Sequence, residues 1–316
     1  MLTSSSKKAI GNIHEAGLEK RGQVKYPPLC PCIYNLRTFK FLGPGNELRV
    51  LDYNSRMWLL AGLRRKLKTP SMGVVWFLNR LRPKDLGLEL IRIGSPNDGG
   101  YLIPQAIHQE YNGGLLLSPG VAANWDFEME LSQKFGVDIA MCDASISEVQ
   151  EFSGLRSFRP LWLKQRTTSD SISLEDWIVE TRSDRGEKLF LQMDIEGFEY
   201  EVISTTSREV LKKFEYIVVE IHNVDMCLNL YEFVAKFLPF IRKLTKDFTP
   251  IHAHTNNCCA TVTRFGREIP VVLELTLVNN RWVDKNTSIY ENLPHPFDAN
   301  NFPEMPSIDT SRIWNP

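Results

Sequence analysis

From about Leu88 onward, short apolar runs alternate with segments of helical periodicity, and this alternation admits few folds. LLLS (115–118), VDIAMC (137–142), LFLQM (189–193) and YIVVEI (216–221) read as strands, separated by helix-like stretches at 124–135, 174–181 and 200–214. Unbroken apolar strands alternating with amphipathic helices specify βαβ units, hence an α/β domain whose mostly parallel sheet carries helices on both faces. An amphipathic helix over 228–244 that Pro239 bends, a last strand over 270–278 and a turn at NNRW complete the pattern, and no internal repeat is present. With 316 residues, 43% of them hydrophobic and 24% charged, the chain is long enough for one large α/β domain with extensions, and collagen-like or wholly disordered classes are excluded.

Charge divides the chain unevenly. Residues 1–92 hold 17 Lys and Arg against 6 Asp and Glu, a balance of +11, whereas residues 93–316 stand at −12. The expected organisation is a basic N-terminal extension (1–88), the α/β domain (89–285) and a Pro/Asn-rich C-terminal arm (286–316). Within the extension, SRMWLLAGLRRKL (55–67) and VVWFLNRL (74–81) read as helices. Such a basic region suits an acidic partner, a membrane surface or the acidic part of the same chain. The net charge of −1 argues against a nucleic-acid partner. No run approaches the ~18 apolar residues of a transmembrane segment, and MLTSSSKKAIGNIHEAG lacks the apolar centre of a secretory signal, so a cytoplasmic chain is expected. The six cysteines form no disulfide ladder and no zinc-type CxxC pair; the Cys30/Cys32 and Cys258/Cys259 pairs read as small packed residues, with contact to a metal as the alternative.

Four polar clusters fall at expected strand ends, the face on which α/β folds build their sites. In LLLSPGVAANWDFEMEL the strand ends at Ser118, a tight turn runs through Gly120 and Ala122, and a helix opens near Asn124 with Asp126 and Glu128 in its first turn. Asp143 stands 23 residues after Gly120, near the roughly 20-residue spacing of a ribose-binding acid. The acids of the first turn repel a pyrophosphate, so the turn suits a cationic adenosyl ligand better than NAD. Read structurally, Asp143 is the cap of an ordinary crossover. In LQMDIEGFEYEVI, Asp194 and Glu196 lie just past a strand and Gly197 allows a sharp entry to the next helix; Asp194 also reads as an N-cap. VVEIHN places Glu220, His222 and Asn223 at the next strand end, and IHAHTNNCC places His252 and His254 on one side of an extended segment, with Asn256 and Asn257 beyond.

The segments NDGGYLIP, LSPGVAANWDFE, ISLEDWI, LQMDIEGFEYEVI, VVEIHN and HAHTNNC, in that order, resemble the FkbM-type methyltransferases, a branch of the S-adenosylmethionine-dependent class. The resemblance covers roughly residues 89–285; DIEG with the preceding SLEDW is its most specific part, and Ala122 and Ala123 stand where the family more usually has a second glycine region. It implies a seven-stranded Rossmann-like sheet with an antiparallel last strand, and methyl transfer to a hydroxyl of a sugar, glycan or natural product. Ser118, Gly120 and Asn124 would then line the methionine part of S-adenosylmethionine, Asp143 would hold the ribose, and Asp194 and Glu196 would face the transfer site.

Methyl transfer to oxygen is an in-line displacement governed by positioning, with a base to take the hydroxyl proton. Asp194 or His222 is the expected base, with His252 and His254 as second candidates. A metal-assisted version would use Asp194 and Glu220 with an imidazole or amide nearby. Other classes remain: a degenerate scaffold that binds a partner through the basic region, and a glycosyltransferase. A nicotinamide dehydrogenase is disfavoured by the single-glycine turn.

Overall fold

A computed structural model describes residues 67–110, 113–181, 188–284 and 287–315. Cys30, Cys32 and the helix expected over 55–67, up to its last residue, lie outside the described residues.

A hairpin of β1 (Leu90–Gly94) and β2 (Gly100–Pro104) precedes the central sheet, whose strands are β3 (Leu115–Pro119), β4 (Asp138–Cys142), β5 (Leu155–Arg159), β6 (Leu189–Met193), β7 (Phe214–Ile221), β8 (Phe248–Thr255) and β9 (Leu273–Asn279). Their order is β8-β9-β7-β6-β3-β4-β5. Every neighbouring pair is parallel except those of β9, which runs antiparallel to both β7 and β8. This is the mostly parallel α/β sheet expected from the residue pattern, with the seven strands and the antiparallel last strand that the family resemblance implies. The winding reverses between β3 and β6, and the crevice beyond the strand ends at such a switch point is where these sheets take ligands.

The central strands β3, β6, β7 and β9 are buried at every position, so they read as continuous apolar runs. Edge strand β5, LRSFR, is half-exposed and had no apolar signal; Arg156 and Arg159 pair sideways with Asp138 and Glu180 instead. One face of the sheet packs Leu117, Leu191 and Val219 with Trp177, Phe237 and Phe240; the other packs Leu116, Phe190 and Val218 with Ile103, Phe127 and Leu131.

Among the described residues the helices of seven or more residues are α1 (Ser71–Arg80), α2 (Asp126–Phe135), α3 (Leu174–Thr181), α4 (Glu199–Thr205) and α5 (Leu238–Asp247), with shorter ones at Gln105–Glu110 and Arg208–Leu211. α2 opens two residues later than expected, and Asn124 accepts from the Asp126 N–H at 3.1 Å. The bend expected at Pro239 is a π turn, Phe233–Phe237, directly before α5. Proline lacks the N–H of an i→i−4 bond, so the chain widens ahead of it and Pro239 occupies the first turn of α5.

Packing continues past both expected domain bounds. Val74, Phe77 and Leu78 of α1 enter the core of the sheet. In the C-terminal arm, Ser288–Ile289 pairs with Lys84–Asp85, the Thr255 N–H donates to the Thr310 hydroxyl at 3.0 Å, and Trp314 Nε1 donates to the Leu78 carbonyl at 2.7 Å. Among the described residues no helix is long and apolar enough to cross a membrane.

Candidate active site

The turn after β3 is built by its neighbours. Gly120 has φ +83°, and a Cβ there would meet the Asp194 carbonyl oxygen at 1.6 Å, so the residue must be glycine for β3 and β6 to end side by side. The Asp143 carboxylate, buried at the end of β4, accepts from the Ala122 N–H at 2.8 Å and from the Ser145 N–H at 2.7 Å. It thereby holds Ala122 at φ +44°, a left-handed conformation that costs an alanine about 1–2 kcal/mol. Asn124 is exposed and donates to the Asp98 carbonyl at 3.2 Å, tying this turn to the one between β1 and β2.

Ser118 faces inward. Its hydroxyl contacts Glu128 Oε1 and lies 2.7 Å from Gln192 Oε1, and Gln192 Nε2 reaches the Tyr101 hydroxyl at 3.4 Å. One serine proton cannot serve two acceptors, so the chain of bonds closes when Glu128 is protonated and donates to Ser118. Burial pushes the Glu128 carboxyl up to about 7, against the lowering effect of the serine bond. At neutral pH its charge is therefore partly absent, and Asp126 is the exposed acid of that first turn.

Glu128 makes the stability of the fold depend on pH. Its native pKa lies above its unfolded value, so the native state binds the proton more tightly, and the resulting stability is full below pH 4.5 and lost as pH rises through about 7. Glu128→Gln mimics the protonated form. Urea unfolding at pH 5 and pH 8 should show variant and wild type close together at the lower pH, with the variant more stable by up to about 3 kcal/mol at the higher. Equal differences at both pH values would contradict the buried-acid assignment.

The second group gathers where β6 and β7 end. After β6 the chain turns through Glu196 at φ +55°, and after β7 through Asn223 at φ +56°. With Ala122, three non-glycine residues in the left-handed region thus sit at one end of the sheet, and such outliers concentrate at functional sites. The Glu199 carboxylate, fully buried at the start of α4, shapes the DIEG turn: its Oε1 accepts from the Ile195 and Gly197 N–H groups, both at 3.1 Å. The same oxygen lies 3.0 Å from His222 Nδ1, and Tyr200 donates to the His222 carbonyl at 2.8 Å. Phe240 packs edge-on against Tyr200 at 5.0 Å, so the helix layer locks the histidine backbone.

His222 Nε2 consequently faces carboxylates: Glu196 Oε2 at 3.5 Å, Asp194 Oδ1 at 3.6 Å and Glu220 Oε1 at 3.8 Å. Burial opposes a charge on His222, but the Glu199 bond and the charges of Glu199, Asp194 and Glu196 together raise it to about 9. Asp194 is pushed up to about 8 by burial, which His222 partly offsets while Glu199, Glu196 and Asp98 add to it. Glu220 is pushed well above the carboxylate range by burial and by Asp194 and Glu274.

A row of polar groups extends from Glu220 across the sheet. Glu220 stands opposite Glu274 and Glu274 opposite His254 in register. Burial, with the repulsion of like charges facing across strands, raises Glu220, whereas His254 opposes that rise at Glu274. The C-terminal arm closes the row: Asn301 Nδ2 bridges Glu274 Oε1 at 2.7 Å and Asp98 Oδ1 at 3.0 Å, and Asp298 lies 2.8 Å from His252 Nε2 and 3.6 Å from His254 Nδ1. Burial would raise Asp298, but the bonds and charges of the two histidines hold it well below the usual range.

The structure therefore brings Asp194, Glu196, Glu220 and His222 together, ties His252 and His254 to the arm, and places Gly120 and Asp143 at the neighbouring strand ends. Sequence reading did not single out Glu199, Asp98, Glu274, Asp298 or Asn301. An acid in the first turn after DIEG was the sole signal for Glu199, and the others arrive from elements distant in sequence. Asp194, Glu220 and His222 offer donor atoms within 4.8 Å of one another, the spacing of a candidate cation site.

Residues 140–247 match the family model of the methyltransferase FkbM domain, a stretch that runs from β4 through α5 and includes the DIEG turn and His222. Among solved structures, a 30S ribosomal A1408 methyltransferase from an uncultured bacterium (UncKam) is similar over 60% of this chain and 100% of its own, with 7% identity and a TM-score of 0.24. No curated protein matches.

Proposed function

We propose, from the premise that residues 140–247 are an FkbM-type methyltransferase domain, that the protein transfers a methyl group from S-adenosylmethionine to a hydroxyl of a sugar, glycan or other small acceptor. The observation that carries this reading is the carboxylate–imidazole group of Asp194, Glu196 and His222 at the mouth of the sheet, beside the turn that Asp143 pins.

The donor set fits this cofactor. Asp194 feels the charges of Glu199, Glu196 and Asp98, Glu220 feels those of Asp194, Glu274 and Asp98, and Asp194 Oδ1 is buried without a hydrogen-bond partner. Such a mouth attracts a sulfonium or ammonium group and repels the phosphates of NAD, of a nucleotide sugar or of a nucleic-acid acceptor. Asp143 would hold the ribose, each of its oxygens keeping a lone pair beyond its backbone bond, and the backbone of the turn from Gly120 to Asn124 would line the methionine part. Ser118 would contribute through its backbone, since its hydroxyl is engaged with Glu128 and Gln192.

Bound S-adenosylmethionine supplies an electrophilic methyl group. The protein's part is to hold the acceptor oxygen in line and to receive its proton. Asp194 would receive that proton, with the imidazole of His222, kept in orientation by Glu199, facing it at 3.6 Å. The half-exposed Asp194 and exposed Glu196 leave this side open to an acceptor.

Calorimetry tests the reading. S-adenosylmethionine and S-adenosylhomocysteine should bind at micromolar concentration, Asp143→Ala should weaken both at least ~10-fold, and NAD and a nucleotide sugar should not compete. No binding of either adenosyl compound to the wild type, or tighter binding of NAD or nucleotide sugar, would overturn it.

A further inference from the structure

We propose that Asp194, Glu220 and His222 form a binding site for one divalent metal ion at the ends of β6 and β7. Its place in catalysis rests on the methyl-transfer reading, while its existence does not.

Three independent features point to an ion. First, the Glu199 carboxylate accepts two backbone N–H bonds and lies 3.0 Å from His222 Nδ1, so the Nδ1 proton faces Glu199 and Nε2 is the nitrogen turned toward Asp194, Glu196 and Glu220, where a bound cation would displace its proton. A histidine whose far nitrogen is fixed by a carboxylate is the usual arrangement behind a metal-bound imidazole. Second, the Nε2–oxygen separations of 3.5, 3.6 and 3.8 Å are too long for hydrogen bonds. They approach the ~3.0–3.5 Å between neighbouring donors that each lie about 2.0–2.2 Å from a shared cation. Third, the Glu220 side chain is 5% exposed; its Oε1 takes a bond from Asn256 Nδ2 at 3.0 Å, yet its Oε2 is buried with no partner. A lone pair buried without a donor is costly, and a cation removes the cost.

Two carboxylates and one imidazole, with a further carboxylate from Glu196 at the open side, suit a hard or borderline ion of the magnesium and manganese kind. The exposed Glu196 side provides the approach path and leaves coordination positions for water or an acceptor hydroxyl. Such an ion would lower the pKa of that hydroxyl and orient its oxygen.

Manganese(II) is the probe. The full chain, stripped with a chelator and titrated with manganese(II) alone, should bind one ion saturably, and electron spin echo spectroscopy of the complex should show modulation from a directly coordinated nitrogen-14. His222→Ala should abolish the nitrogen signal. Glu220→Gln, nearly isosteric, should weaken binding at least ~10-fold, and Glu199→Gln, which touches no ion, by about 10–100-fold. No saturable binding to the wild type, no nitrogen modulation in its complex, or unchanged affinity in folded Glu220→Gln would overturn the site. Calorimetry with S-adenosylmethionine on the same preparation separates the two readings. Cofactor binding without manganese binding removes the metal site and leaves methyl transfer standing; manganese binding without cofactor binding does the reverse.

Discussion

Replacing His222 by alanine is expected to lower methyl transfer at least ~100-fold, because it removes the imidazole that faces Asp194 at the mouth of the sheet, while leaving S-adenosylmethionine affinity within about 3-fold. The fall should appear in kcat rather than in the KM for the cofactor, because His222 stands at the β7 end whereas the cofactor turn follows β3. Asp194→Asn should give a similar loss. The backbone at position 222 survives the change, since it is the His222 carbonyl that Tyr200 holds, and Glu199 keeps its bonds from Ile195 and Gly197. His222→Gln, which keeps a donor toward Glu199, separates lost chemistry from lost structure: it should melt like the wild type and stay inactive. Unchanged turnover in both His222→Ala and Asp194→Asn would remove this group from the mechanism.

Gly120→Ala is expected to destabilise the protein by at least about 3 kcal/mol and to abolish cofactor binding. An added methyl would lie 1.6 Å from the Asp194 carbonyl oxygen and 2.7 Å from its carbon, and both belong to the backbone of a buried neighbouring strand end that cannot move aside. The left-handed φ of +83° adds about 1–2 kcal/mol. Gly136 supplies the control: it also has positive φ, +63° at the end of α2, yet a Cβ at that position would find nothing within 4 Å, so Gly136→Ala should cost only the conformational part, about 1 kcal/mol. Urea unfolding of the two variants measures the difference. Equal, small losses would show that β3 and β6 end too far apart for the Asp194 carbonyl to exclude a side chain.

Much of the chemistry was legible from the chain. Gly120, Asp143, Asp194, Glu196, Glu220 and His222 each follow an apolar run, and the ends of apolar runs are strand ends. The alternation in VVEIHN places Glu220 and His222 two residues apart around the buried Ile221, so both were foreseeable as neighbours. The roles of several were not. Gly120 is demanded by a backbone contact with Asp194, 74 residues away in sequence. Asp143 holds the Ala122 turn, a bond for which neither residue carries a local signal. β5 escaped because its arginines look outward along an edge strand, where burial imposes no apolar pattern. Glu199 was hidden by its setting in a helix start rich in acids, where a buried carboxylate looks like an exposed one.

By itself the sequence determined the central strands of the sheet and its layers, because burial on both faces dictates the length and hydrophobicity of those strands, and helical periodicity dictates what lies between. It also determined which polar residues reach the strand ends. Only the tertiary structure decided how those residues meet. Register sets Glu220 against Glu274 and Glu274 against His254, and the returning arm sets Asp298 and Asn301 over the same row. Local patterns fix which way a side chain faces; what it faces depends on where a distant segment closes its loop, and loop closure leaves no mark in the residues it brings together.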